Sequence, residues 1–248
     1  MNTKTTETII YGVLIGFVLT LASYVVADQF DWIELSEVNF LEAFAVFTSY
    51  LCTWLCVRQT RWNYPVGVVT TLAYSILFWQ YELFALSLFN MYLVGSLIFG
   101  WFRWGPDGTS KPVSTVDGFW WLGYVALALG IYILLFTFNS FFGYEMSWMD
   151  IILAIASGVA QFLLDNKKIE TWVLWALINI GSIWLYFNTE LYIVAFQYVF
   201  FLLNAFYGFW LWKNSMVAKG NNDLTTATES GLVFPNHPVS PIKKATFS

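Results

Sequence analysis

Trp172, Trp175 and Asn179 fall at i, i+3 and i+7 of one apolar run. On a helix those positions form a single stripe, so two indoles and a carboxamide face the same way. Indole faces stack on flat rings or hold a cation by π attraction, and a carboxamide both donates and accepts hydrogen bonds. The stripe suits a flat heteroaromatic solute bearing an amide, although an asparagine in such a run also serves to join helices. Trp184 extends the same wall by a further turn. A second stripe holds Gln197, Phe201, Asn204 and Gly208, flanked by Tyr198 and Tyr207. Two carboxamides on an aromatic wall suit hydroxyl-rich or other neutral polar groups. An earlier run offers Asn90, Tyr92 and Ser96, and Tyr64, Thr71, Gln80 and Gln161 add polar groups elsewhere.

The chemistry missing from the chain is equally informative. His237 is the single histidine, and the two cysteines, Cys52 and Cys56, lie one helical turn apart. That pair cannot bridge within a helix and is too small a set for a zinc site, so small apolar packing residues are expected there. No metal, cofactor or catalytic residue is predicted, because a nucleophile, base and paired carboxylates do not share a run. Lys, Arg and His are absent from the middles of the apolar runs, and Glu42 and Asp150 fall at run ends. Proton relays and ion coupling use buried ionisable groups. A passive carrier for a neutral or weakly cationic solute is favoured over an enzyme or a proton antiporter. A channel or receptor would share the tryptophans that gather near the ends of the apolar runs without needing an internal repeat. Sodium coupling through hydroxyls and carbonyls stays open.

The elements that must position these groups are set by composition. Of 248 residues, 58% are hydrophobic and 11% charged, with a mean hydropathy of +0.62; soluble domains carry about 25% charged residues. Eight apolar runs, near 9–27, 41–57, 63–80, 84–102, 118–138, 148–164, 171–187 and 191–212, approach the roughly 20 residues that span a bilayer. Helices follow, since lipid offers no partner to a free backbone group. With the N-terminus in the cytoplasm, every Lys and Arg falls on the cytoplasmic side, while the opposite connections hold only acids, Asp28 to Glu37, Glu82, Glu145 and Glu190. The positive-inside rule thus predicts a multi-pass protein with both termini cytoplasmic. The dispersal of the basic residues excludes a nucleic-acid surface despite the net charge of −5.

One pattern occurs twice. The block from Leu41 to Trp104 returns from Met149 to Trp212 at a constant offset of 108. Glu42 meets Asp150, Ser49 meets Ser157, Glu82 meets Glu190, Gly100 meets Gly208 and Trp104 meets Trp212. The predicted fold is all-α: an N-terminal helix and outer loop (1–39), a first three-helix repeat (40–104), a loop and connector helix (105–146), a second three-helix repeat (147–212) and a disordered tail (213–248). An odd-numbered repeat would insert its copy upside down, so the connector restores the orientation and makes the repeats parallel. The first run resembles a signal peptide but is longer than an ordinary h-region, and an uncleaved helix is expected.

The chain resembles the bacterial PnuC-type vitamin transporters over about residues 40–213. The likeness rests on the 3+1+3 layout, on Gly100-Trp101-Phe102-Arg103-Trp104, and on the segment from Gln161 to Trp175. It implies a SWEET-like fold, a homotrimer with one pathway per protomer, and location in the bacterial inner membrane. It also implies facilitated diffusion of nicotinamide riboside, trapped inside by a cytoplasmic kinase; thiamine and riboflavin-like solutes are the alternatives within the family. Trp172, Trp175 and Asn179 match the family's substrate-binding motif, and Gln197, Tyr198, Asn204 and Asn90 are further carry-overs.

Overall fold

The computed structural model describes residues 3–31, 38–105, 111–143 and 147–229. Among them the long elements are helices: α1 (Thr3–Gln29), α2 (Phe40–Val57), α3 (Asn63–Gln80), α4 (Phe84–Arg103), α5 (Trp121–Phe142), α6 (Trp148–Asp165), α7 (Glu170–Asn188) and α8 (Tyr192–Glu229). A short 3-10 turn, Gly118–Trp120, leads into α5. This is the all-α architecture expected from the sequence. Six of the eight helices are long and apolar enough to cross a membrane, which makes this a multi-pass membrane protein. The two that fall short are α3 and α7. Each is the middle helix of its triplet, packed between α2 and α4 or between α6 and α8, so its polar residues face protein rather than lipid.

The offset of 108 is a structural period as well as a sequence one. The N-caps repeat: Asn39 Oδ1 accepts from Leu41 N at 2.9 Å, and Ser147 Oγ accepts from Asp150 N at 3.0 Å. Each triplet turns twice through a non-glycine left-handed residue, Gln59 (φ 55°) and Glu82 (φ 60°), then Lys167 (φ 51°) and Glu190 (φ 62°). The first turns close with Thr60 N to Leu55 O and Lys168 N to Leu163 O, both 2.9 Å. The second close with Leu83 N to Phe78 O and Leu191 N to Tyr186 O, again 2.9 Å. These bonds satisfy helix-end carbonyls, which offsets the left-handed strain.

Three residues touch their own repeat-mates. Lys167 Nζ donates to Gln59 Oε1 at 3.1 Å. Trp104 and Trp212 lie 6.1 Å apart by ring centroid, and Phe78 stacks on Tyr186 at 5.5 Å and 10°. Equivalent residues meet only near the axis that relates the copies. The first two pairs lie at the end of the bundle that carries the α2–α3 and α6–α7 turns, with Trp104 beneath Lys167 and Trp212 Nε1 donating to Val57 O, and the third lies a helix-length away. A pseudo-twofold axis therefore runs along the bundle, with a contact at each end.

Around this core α1 packs on α2 and α8, while α5 packs chiefly on α6. The most apolar stretch of α5 is only 6% buried, against 56% for α2 and α6. Arg58, Arg61, Arg103, Lys111, Lys167, Lys168 and Lys213 all gather at the end carrying the α2–α3 and α6–α7 turns.

One boundary differs from expectation. The composition change after Trp212 predicts disorder from 213, yet the α8 backbone stays helical to Glu229. No proline interrupts this stretch before Pro235, and extending an existing helix costs far less than nucleating one. His237 lies outside the described residues.

Candidate substrate-binding site

A cavity of about 190 Å³ lies on the axis between the two end contacts. Helix α2 lines it with Ser49, Cys52, Thr53 and Cys56, and α3 with Asn63, Gly67, Thr70, Thr71 and Tyr74. Leu93 and Leu97 of α4 and Gln161 and Leu164 of α6 complete one side. Trp172, Trp175 and Asn179 of α7 and Tyr198, Phe201, Asn204 and Ala205 of α8 form the rest. Six repeat pairs contribute both members: Thr53/Gln161, Cys56/Leu164, Gly67/Trp175, Thr71/Asn179, Leu93/Phe201 and Leu97/Ala205. The scaffold is twofold, but the chemistry is not. Where the second half projects the Trp175 indole, the first has Gly67.

Five of the seven residues singled out from sequence meet here: Trp172, Trp175, Asn179, Tyr198 and Asn204. Gln197 and Asn90 do not. Gln197 is fully buried and accepts from the Tyr74 hydroxyl through Oε1. Its Nε2 donates to Ser49 Oγ and, at 3.0 Å, to Val46 O. It is a strut that fixes two cavity residues, because neighbouring positions on a helix point about 100° apart and Tyr198 takes the inward direction. Asn90 Nδ2 returns to Leu86 O of its own helix at 2.8 Å, the local bond that mid-helix Asn often makes. Trp184 is 53% exposed and faces away. The cysteines, expected as packing residues, line the cavity, and Cys52 Sγ donates to Asn63 O at 3.3 Å. Thr171 Oγ1 donates to Ala160 O at 2.8 Å at the same place in the second half.

Trp172 is seated by its neighbours. Its ring lies on Gly208, where a Cβ would come within 2.8 Å of three ring atoms. Its other contact is Trp212, edge-on at 5.3 Å and 89°. The first half repeats this with Tyr64 on Gly100, a Cβ there meeting the ring at 2.1 Å, and Trp104 at 5.3 Å and 88°. The fates of the polar atoms then diverge. Asp165 is buried and accepts from Tyr64 Oη at 3.2 Å, Ser96 Oγ at 2.7 Å and Gln161 Nε2 at 3.0 Å. The mate of Asp165 is Val57, which offers no side-chain acceptor. Trp172 Nε1 and Asn204 Nδ2, the mates of the Tyr64 and Ser96 donors, are buried without a partner. An unpaired buried donor costs roughly 1–3 kcal/mol, and a ligand acceptor placed there would recover it. Gln161 presents Nε2 to Asp165, which leaves the Gln161 oxygen as an acceptor.

The expectation that ionisable groups stay out of the interior needs correction. Asp150, Asp165 and Lys167 are all buried. They fall at helix ends in sequence, but those ends are covered by the other half of the bundle. Asp150 caps α4, accepting from Ala85 N at 3.0 Å and Leu86 N at 3.1 Å, where a carboxylate complements the helix dipole. Lys167, in the α6–α7 turn, sits 4.6 Å above the Trp104 ring, and burial pushes its ammonium down to about 8. Among the described residues, no three His, Cys, Asp or Glu converge as a metal site.

The nicotinamide mononucleotide transporter family matches residues 39–214. The chain is 22% identical over 221 residues to the nicotinamide riboside transporter PnuC of Escherichia coli K12, covering 76% of this chain and 91% of that one. It is 24% identical over 205 residues to its namesake in Haemophilus influenzae, covering 79% and 88%. The crystal structure of the vitamin B3 transporter PnuC superposes with a TM-score of 0.69 at 18% identity, covering 86% of this chain and 97% of that one. It shares the fold. With the match spanning both three-helix repeats and the axial cavity, the chain belongs to the nicotinamide mononucleotide transporter family of PnuC-type membrane transporters.

Proposed function

We propose that this protein carries nicotinamide riboside across the bacterial inner membrane by facilitated diffusion. The observation that carries this reading is the axial cavity, with the Trp172 and Trp175 indoles on one wall and Asn179, Asn204 and Gln161 around it. The indoles bind a pyridinium face by stacking and cation–π attraction. The unpartnered Trp172 and Asn204 donors suit a carbonyl or hydroxyl oxygen. The names of the relatives, nicotinamide riboside transporters, agree with this chemistry. The volume of about 190 Å³ lies below the roughly 300–1,000 Å³ of drug-sized pockets. That favours a single-ring nucleoside over a tricyclic flavin, and leaves thiamine as the nearer competitor.

A passive mechanism is supported by the two buried carboxylates, Asp150 and Asp165, whose oxygens are already occupied by protein donors. The basic end of the bundle is the cytoplasmic end by the positive-inside rule, which places the N-terminus inside. Phosphorylation by a cytoplasmic kinase would then trap the solute. The lipid-facing α5 leaves apolar surface for a homotrimer of the kind the family resemblance implies.

The test is uptake of labelled nicotinamide riboside into liposomes containing only this protein, with unlabelled thiamine and riboflavin as competitors. Saturable entry down the gradient, blocked first by nicotinamide riboside, is expected. No entry, or uptake abolished by dissipating proton and sodium gradients, overturns the passive carrier reading.

A further inference from the structure

A second polar feature, separate from the cavity, sits at the basic end. Asn166 caps α6, and its Oδ1 accepts from two cations at once: Arg103 Nη2 at 2.5 Å and Lys111 Nζ at 2.9 Å. Sharing one oxygen, the two charged nitrogens lie within about 5.4 Å of each other. A neutral amide oxygen satisfies one donor of each without cancelling either charge. Lys168 adds a third cation, its Nζ donating to Thr115 O at 2.6 Å.

The arrangement is built rather than incidental. The segment bearing Lys111 is pinned on the α6–α7 turn by Ser114 N to Lys167 O at 3.1 Å and Ile169 N to Ser114 O at 3.0 Å. Glu170 Oε1 holds Val116 N at 2.9 Å. Of the neighbouring acids, Glu170 holds that amide through Oε1 alone, its Oε2 being buried without a partner, and Asp165 accepts from Tyr64, Ser96 and Gln161. Burial, followed by the charges of Arg103 and Lys168, pushes Lys111 down to about 8. The positive-inside rule accounts for basic residues on this side, but not for two of them sharing one oxygen.

We propose that Arg103, Lys111 and Lys168 form an anion site for a phosphate group at the basic mouth of the bundle. A guanidinium fork beside ammonium groups matches a phosphate's oxygens in number and charge. Two sources carry that chemistry: a soluble phosphate or phosphomonoester, and the headgroup of an anionic lipid in the adjacent leaflet. The site is independent of which solute the axial cavity takes.

The experiment is thermal unfolding of the full chain in detergent, read by tryptophan fluorescence. One arm titrates inorganic phosphate against chloride at matched ionic strength, and the other adds phosphatidylglycerol against phosphatidylcholine. A saturable rise in Tm with phosphate identifies a soluble ligand; a rise with phosphatidylglycerol alone identifies the headgroup. In either case Lys111→Gln, at a partly exposed position, and the Arg103→Gln/Lys111→Gln double variant should weaken the apparent affinity at least tenfold. Both variants should retain wild-type uptake, which shows them folded. No rise in either arm, or a rise unchanged in the double variant, overturns the proposal.

Discussion

The two halves of the bundle allow one perturbation to be made at equivalent places with different expected readouts. In the second half, an added Cβ at Gly208 would lie 2.8 Å from Cδ2, Cε2 and Cε3 of Trp172. Carbon atoms in contact prefer about 3.5–4.0 Å, so the indole must move by about 1 Å. It cannot retreat toward Trp212, which is fully buried and packed edge-on, and the open direction is the cavity. Overpacking of this kind costs about 1–3 kcal/mol. Because the displaced group is the ligand's own wall, Gly208→Ala should weaken substrate binding by roughly 10- to 100-fold, at about 1.4 kcal/mol per tenfold.

Gly100→Ala makes the same change in the first half. There the added Cβ would lie 2.1 Å from Tyr64 Cε1 and 2.7 Å from its hydroxyl. Tyr64 does not line the cavity; it holds Asp165. The clash is worse, so the stability loss should exceed that of Gly208→Ala while the affinity loss is the smaller of the two. Calorimetric binding and thermal unfolding of both variants supply the comparison. Wild-type affinity in Gly208→Ala, or equal affinity loss in the two variants, refutes the assignment of binding to the second copy.

Trp175→Ala should lose more than tenfold in affinity with little change in Tm or oligomeric state, since the indole borders open space opposite Gly67; an unfolded variant would mark it as packing. Gln197→Leu should destabilise by roughly 1–3 kcal/mol, because the buried Tyr74 hydroxyl loses its acceptor while Ser49 Oγ keeps its bond to Val46 O, measurable as a drop in Tm. Burial lowers Lys111 and Lys167 from 10.5 to about 8, so between pH 8 and 10.5 these two groups hold fewer protons in the folded chain than in the unfolded one. Their own contribution to stability therefore rises with pH through that window, the penalty being full below pH 8. Measured against wild type, Lys111→Met should gain most stability at pH 8 and least near pH 10.5, and a Tm difference that does not change with pH would contradict the burial of this ammonium group.

Much of the frame was legible because lipid and duplication leave strong marks. Long apolar runs fix helices, and a gapless offset fixes their grouping. The stripe on α7 was legible because Trp172, Trp175 and Asn179 sit on one helix, where periodicity alone decides which residues share a face. Contacts between helices were not. Gln197 and Tyr198 are adjacent in sequence, and only the packing of α8 on α2 shows which points to the cavity. Asp165 stands close to two lysines in sequence, which gives no sign that Tyr64 and Ser96 arrive from two other helices to bury it. The offset itself held an unused signal. Setting Asp165 against Val57 exposes an acceptor present in one half only, and setting Gly67 against Trp175 exposes the space that the second indole faces.

Duplication also explains why the halves had to diverge. A residue on the axis faces its own copy, so whatever suits one half must tolerate itself. Two lysines at the Gln59/Lys167 position would set like charges against each other in a buried turn, whereas glutamine opposite lysine makes a hydrogen bond. Two tryptophans at the Gly67/Trp175 position would crowd the cavity from both sides. Two aspartates at the Val57/Asp165 position would satisfy every nearby donor and leave none for a ligand. A solute with a ring at one end and hydroxyls at the other has no twofold symmetry, so a symmetric cavity would waste half its groups on the wrong end. Tyr64 and Ser96 of the first copy are therefore satisfied by Asp165 of the second, whereas Trp172 and Asn204 of the second are left unpaired. Restoring symmetry with Val57→Asp should close that vacancy: Trp172 and Asn204 gain an acceptor, and solute binding falls while the bundle still folds. If Val57→Asp folds and binds as wild type does, the unpaired donors are not where the solute is held.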